Sequence, residues 1–285
     1  MDSTAPESKV SSTDRSAGKA ELARDHKRMK AVFTHIMELV VPVIGAIALW
    51  EIISRSGLVS TVFFPPPSRI LLKIVQLFQS GRMQEHLWVS MQRVGLGFLI
   101  GAVPGTILGL LMGWIRFVRR VFDPIISIIY PIPRIAILPL FLIVLGLGSP
   151  PIIAVTALIC FFPAAVTTFG GVKGMDPNLP LMALNMGASR LQLMAKIAFP
   201  AALPGIFAGL RLALGVALTG EVAAEFVAAS TGLGAEIWHY WQIYRIEEMY
   251  SFIVVVAATG IILAYGLLEI QRWALSWAEE IDIFG

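Results

Sequence analysis

The sequence predicts an all-α integral membrane protein with six transmembrane helices, and three observations carry that prediction. Hydrophobic residues make up 56% of the 285 and charged residues only 14%, and the mean hydropathy is +0.77, too apolar for a soluble domain of this length. Apolar runs recur at about 36–54, 94–115, 124–147, 150–171, 201–226 and 252–270, each close to the about 20 residues that a helix needs to cross a bilayer. The basic residues are distributed unevenly between the connecting segments. With the amino terminus in the cytoplasm, 14 lysines and arginines fall inside, 5 fall outside, and Arg93, Arg134 and Arg211 lie within or at the edges of spans.

Residues 1–30 are rich in Ser, Ala, Lys, Asp and Glu and have almost no large apolar side chains. They predict a disordered cytoplasmic tail ahead of one transmembrane domain at 31–285. The first apolar run, Leu39 to Trp50, follows Lys27, Arg28 and Lys30 as a signal-peptide core would. Its small residues Ala46 and Ala48 lie inside the run, however, so it reads as a span. Phe63 to Arg93 is too polar to cross and contains Pro65, Pro66 and Pro67 before an amphipathic stretch. It reads as an external re-entrant or surface helix, with Arg93, like Asp123, anchoring at the interface.

In the second span, Gly97, Gly101, Gly105, Gly109 and Gly113 recur at every fourth residue. Positions i and i+4 share a helix face, so this stripe predicts close backbone approach by another helix. Pro104 is a candidate kink. Charges inside spans are functional candidates by default, which singles out Arg134, Arg211, Glu221 and Glu225 as a candidate translocation path. Arg134 follows Pro131 and Pro133 and either faces an anion in a cavity or bonds carbonyls freed at a helix break. Arg211 and Glu225 are fourteen residues apart. They therefore share an azimuth to within about 40° but are separated by about 21 Å along the axis. One reading puts Arg211, Glu221 and Glu225 on a hydrated face at two depths; the other satisfies each with a static partner between helices.

Between the fourth and fifth spans, Leu181 to Pro204 reads LMALNMGASRLQLMAKIAFPAALP. Gly187 can take the positive φ that ends one short helix and starts another. Beyond it, Leu191, Met194 and Ala198 form an apolar stripe opposite Arg190 and Lys196. Either a protein partner or lipid headgroups could cover such a stripe.

Enzyme chemistry finds no support. His26, His35, His86 and His239 are scattered, no H-E-x-x-H or G-x-S-x-G occurs, and Cys160 is the only cysteine, so no internal disulfide can form. Neither catalytic nor metal-binding residues are expected, and no nucleic acid is expected as a partner. The phosphate-binding G-x-x-x-x-G-K-[ST] is also absent, so ATP hydrolysis cannot reside in this sequence.

The loop resembles the cytoplasmic EAA loop of ABC importer permeases, with Ala183, Gly187, Ile197 and Pro200 in register. Leu181 stands in place of the family's Glu, Met182 in place of its first Ala and Phe199 in place of its Leu. Further phrases resemble the branch of these permeases that imports nitrate, sulfonates, taurine and bicarbonate: Ser90, Arg93 and Gly97; Tyr130 to Arg134 with Leu138 to Phe141; Pro200 to Pro204 running to Gly209-Leu-Arg211; and Ala224-Glu225 with Gly232-Leu-Gly234. The likeness covers about residues 36–275 and includes Arg211 and Glu225 but not Glu221.

The resemblance implies a type I ABC importer permease in a bacterial inner membrane, working as a pair of permeases, in the simplest case a homodimer. Two cytoplasmic ATPase subunits, which bind ATP and Mg, and an external solute-binding protein would complete the transporter. The coupling loop at 175–200 would act through Ala183, Gly187, Ala188, Ser189, Arg190, Leu191, Met194, Ile197 and Pro200. A small anion such as nitrate, a sulfonate, taurine or an organic carboxylate is the expected solute. An ion-coupled secondary transporter, or an ABC permease for a neutral pyrimidine precursor, are the alternatives.

Overall fold

In the computed structural model the described residues are 37, 40–176 and 178–276. The tail expected at 1–30 lies outside them. All described elements are helical, and they form two compact units, 1–68 and 69–285.

The first unit carries helix α1 over 40–55, the described part of the run expected at 36–54. In its last turns the buried Ser54 hydroxyl donates to the Phe64 carbonyl at 2.6 Å, and the rings of Trp50 and Phe64 meet at 5.4 Å. The Glu51 carboxylate accepts from the Ser68 amide at 3.0 Å and the Ser68 hydroxyl at 2.8 Å.

The other helices are α2 (Pro67–Gln79), α3 (Arg82–Trp114), α4 (Arg116–Ile129), α5 (Leu138–Leu145), α6 (Ser149–Lys173), α7 (Asn178–Asn185), α8 (Arg190–Leu193), α9 (Phe199–Ala228), α10 (Leu233–Gln242) and α11 (Ile246–Ala274). Proline opens α2, where its missing N–H is no loss. Leu77 of this amphipathic helix packs against Met83, Leu233, Tyr240 and Phe252, while Leu71, Leu72 and Val75 stay exposed. The segment Phe63 to Arg93 is not a separate surface helix throughout. From Arg82 onward it is the start of α3, whose 33 residues extend about 50 Å, more than the about 30 Å of hydrocarbon.

Among the described residues four helices are long and apolar enough to cross a membrane: α3, α6, the continuous stretch Arg190–Ala228 that joins α8 to α9, and α11. The run expected as one span at 124–147 is broken. Pro131 and Pro133 withdraw backbone donors and disfavour helix in the residues before them, and α4 and the segment Arg134–Leu145 meet at 89°, so the pair adds at most one crossing.

α6 is the most enclosed of these helices, with 61% of its apolar window buried, and small residues on both neighbours explain why. A Cβ added at Gly101, Gly105 or Gly109 of α3 would lie 2.0, 2.4 and 2.4 Å from the α6 carbonyl oxygens of Ala157, Phe161 and Ala165, while at Gly97 and Gly113 it would meet Thr156 and Val172. The two backbones therefore touch along about four turns. On the other flank, a Cβ on Gly205 of α9 would lie 2.6 Å from the Gly171 Cα, and one on Gly209 would lie 1.9 Å from the Thr167 hydroxyl. Contact this close is available only to residues without side chains, and it replaces hydrophobic driving force with dispersion between backbones.

Candidate functional site

At one end of α3, α9 and α10, residues far apart in sequence form a single buried polar knot. Arg93 and Glu225 pair directly, with side chains 4% and 0% exposed. The remaining capacity of the Glu225 carboxylate is taken up by the Ser90 hydroxyl at 3.0 Å and the Gly234 amide at 2.8 Å. Arg93 donates further from Nε to Ser149 Oγ at 3.0 Å and from Nη1 to the Thr231 carbonyl at 2.6 Å. Ser90 Oγ in turn accepts the Leu233 amide at 2.8 Å. A buried ion pair is tolerable only when its charges are matched and its spare donors and acceptors are used, and here both conditions hold.

The turn between α9 and α10 is cut to fit this knot. Gly232 has φ 122°, and a Cβ on it would lie 2.0 Å from Glu225 Oε1. Its amide donates to His86 Nδ1 at 3.0 Å, which leaves the imidazole proton on Nε2, 3.4 Å from Glu236 Oε1. The phrases Ser90-Arg93-Gly97, Ala224-Glu225 and Gly232-Leu-Gly234 are thus three strands of one network. Arg93 is not an interface anchor: it continues the buried face that Met83, His86 and Ser90 begin on α3 and pairs with α9, because α3 starts a dozen residues before the apolar run does. The charge on Arg93 alone gave no sign of its partner; the clue was the spacing of Ser90 and Arg93, which puts both on one face.

Glu221, one turn before Glu225 and likewise 0% exposed, sits beside that carboxylate and the Ser90 hydroxyl. Both glutamates are closed in by protein and line neither of the cavities described below. Arg211 points elsewhere, toward α11, where Nη2 donates to Gln271 Oε1 and the residue lines a cavity of about 210 Å³. The three residues expected on one face of the fifth span are therefore divided between two environments. Arg134 opens a 3-10 turn (Arg134–Ile137), donates to the Tyr130 carbonyl at 2.7 Å and stacks over Tyr130 and Phe162 at 4.8 and 5.1 Å. The Tyr130 carbonyl lies at the break made by Pro131 and Pro133, and the Arg134 Nε is enclosed with no acceptor among the described residues.

The loop at 175–200 forms two helical pieces around Gly187, whose φ is 84°. Ala188 N–H closes back on the Ala183 carbonyl at 3.0 Å, ending α7. Ser189 then opens α8 through a capping box with Gln192, a device legible as Ser-x-x-Gln in the sequence. The chain passes through a π turn (Met194–Ala198) directly into α9. That wider turn corrects the expected stripe. With five residues per step, the inward positions are Leu193 and Ala198, and Leu191 and Met194 stand exposed, joining Leu181, Met182, Leu184 and Met186 on the surface. Ile197 is half-buried and Arg190 exposed. Behind the π turn, Leu110, Trp114, Val172, Ala198 and Phe199 line part of an apolar cavity of about 360 Å³.

Residues 105–273, more than half of the chain, match the family described as binding-protein-dependent transport system inner membrane component. The putative aliphatic sulfonates transport permease protein SsuC of Bacillus subtilis is 34% identical over 83% of this chain and 86% of its own length. The taurine transport system permease protein TauC of Escherichia coli is 32% identical over 83% and 88%, and the bicarbonate transport system permease protein CmpB of Synechococcus elongatus is 28% identical over 82% and 87%. Among solved structures, an inward-facing form of the MetNI methionine ABC transporter superposes with a TM-score of 0.60 at 20% identity, covering 66% of this chain and 94% of that one, a likeness of fold. Sequence, buried motif network and fold agree, and the chain belongs to the binding-protein-dependent transport system inner membrane components, the permease subunits of ABC importers.

Proposed function

We propose that this permease carries a small organic or inorganic oxyanion, a sulfonate above all, across a bacterial inner membrane, driven by a separate ATPase that binds MgATP. Its likeness to sulfonate and taurine permeases over more than four-fifths of the chain supports that solute class. The coupling reading rests on one observation: six exposed apolar side chains, Leu181, Met182, Leu184, Met186, Leu191 and Met194, are presented around the Gly187 turn. Apolar side chains so clustered on a cytoplasmic segment call for a protein groove. In this reading Ala183, Gly187, Ala188, Ser189, Arg190, Ile197 and Pro200 hold the shape of the segment. Six spans, a cytoplasmic amino terminus, a pair of permeases and an external solute-binding protein complete the arrangement. Arg211 faces the solute, whereas Glu221 and Glu225 organise the protein. ATP-dependent uptake of labelled ethanesulfonate by cells producing the complete transporter tests the proposal. Uptake that persists without a functional ATPase, or preference for a neutral pyrimidine over every oxyanion, refutes it.

A further inference from the structure

Among the described residues, Arg134 and Arg211 each lack a carboxylate partner and keep an enclosed Nε without an acceptor, but Arg134 lies over the Tyr130 and Phe162 rings, whereas Arg211 has no ring beneath it. Arg69, Arg82, Arg93, Arg245 and Arg272 each lie against a carboxylate. Arg211, in the interior of α9, meets only the neutral amide of Gln271, and its Nε is enclosed with no acceptor among the described residues. A cation inside a span with no opposite charge is costly, so the site is built to receive an anion. The cavity beside it supplies the rest of the description. Leu214, Leu218 and Leu263 wall it, Gly215 and Gly260 widen it, and Arg211 is its only charged lining residue. Its volume of about 210 Å³ equals that of about seven waters at ~30 Å³ each, on the scale of a short-chain solute.

We infer that the α9–α11 cavity is an anion subsite selective for unsubstituted short alkanesulfonates, with the sulfonate on Arg211 and the alkyl chain among the leucines. This rests on the oxyanion-importer reading above and narrows it. Taurine would bring an ammonium into a wall that offers no acceptor, a buried unpaired charge. Bicarbonate has no chain to cover the apolar walls. A phospholipid headgroup presents the same combination of anion and apolar chain and is the competing source.

The test is equilibrium binding of radiolabelled butanesulfonate to the purified permease–ATPase complex in nanodiscs, with uptake by the complete transporter measured in parallel. In phosphatidylcholine nanodiscs the wild type binds butanesulfonate at least about tenfold more tightly than taurine. Arg211→Gln weakens butanesulfonate about tenfold or more, as expected for loss of a charge-assisted hydrogen bond. Gly215→Leu, whose Cβ meets nothing within 4 Å, fills the cavity and weakens butanesulfonate more than ethanesulfonate. Equal binding by wild type and both variants overturns the inference, as does stronger binding of taurine. Phosphatidylglycerol abolishing butanesulfonate binding while uptake is unchanged by Arg211→Gln assigns the cavity to lipid and overturns it too. If the wild type takes up no oxyanion at all, the functional reading itself fails; if uptake is robust but indifferent to Arg211 and Gly215, only the subsite fails.

Discussion

Replacing Arg93 by methionine removes the one guanidinium among the described residues that touches Glu225 and leaves a carboxylate of zero exposure with the neutral donors of Ser90 and Gly234. The loss extends beyond the pair, because the same arginine ties Ser149 at the start of α6 and Thr231 in the α9–α10 turn. Stranding one member of a buried ion pair costs about 3–5 kcal/mol. Changing both members to neutral residues of similar shape costs much less, since no charge is then left without a partner. The expected order of stability is therefore wild type, then Arg93→Met with Glu225→Gln, then Arg93→Met alone. Equilibrium unfolding in mixed micelles, followed by tryptophan fluorescence, gives the double-mutant cycle. A coupling of about 2 kcal/mol or more, with the double variant recovering stability lost in the single one, is the expected result. Additive losses, or a single variant as stable as the wild type, would refute the assignment of this knot as the clasp between α3 and α9.

Gly101→Val places a Cβ 2.0 Å from a backbone oxygen that cannot turn aside, so it should cost at or above the ~3 kcal/mol upper end usual for overpacking. Gly95→Ala, with nothing within 4 Å, should gain about 0.5–1 kcal/mol from helix propensity; the same unfolding assay ranks both, and equal effects would remove the packing argument. Gly187→Val meets no neighbour but must adopt φ 84°, a strain of about 1–3 kcal/mol for a β-branched residue. The complex should assemble yet lose solute-stimulated ATP hydrolysis, whereas Gly187→Asn should retain most of it. Glu221→Gln keeps the shape of an enclosed side chain and removes an acid group from beside Glu225, so stability should hold or rise; a loss above about 2 kcal/mol would mean that the Glu221 carboxyl itself is bonded into the knot.

Those helices that face one another through small residues were legible in the sequence because a four-residue glycine repeat has one geometric consequence, a flat face. The Gly187 turn was legible for a similar reason, as a residue that tolerates positive φ between two helix-forming stretches. The polar knot was not. Arg93 and Glu225 are separated by 132 residues, and hydropathy treats each only as a charge at the end of a run. Periodicity also misled where the backbone departs from 3.6 residues per turn. The π turn at Met194–Ala198 shifted the expected stripe onto Leu193, and Pro131 and Pro133 divided what the apolar content alone reads as one span.

The same contacts that made α3 legible restrict how the permease can move. Backbones in contact along several turns have no side chains between them to slide or re-rotamerise, and packed interiors switch between discrete arrangements instead of deforming smoothly. α3, α6 and α9 meet in this way through Gly101, Gly105, Gly109, Gly205 and Gly209, and the Arg93–Glu225 knot fastens α3 to α9 at one end. The three helices should therefore travel as one body when ATP is bound and hydrolysed, leaving the change of access to the surfaces around them. Spin labels at Leu99 of α3 and Leu212 of α9, both exposed at 57% and 47%, report on this without entering the core. Their intramolecular distance distribution, measured by double electron–electron resonance on complexes containing one labelled permease copy, should be the same in the nucleotide-free and vanadate-trapped states. A shift of more than about one helical turn, 5.4 Å, would show that the glycine-packed layer itself rearranges, and the rigid-body argument would be wrong.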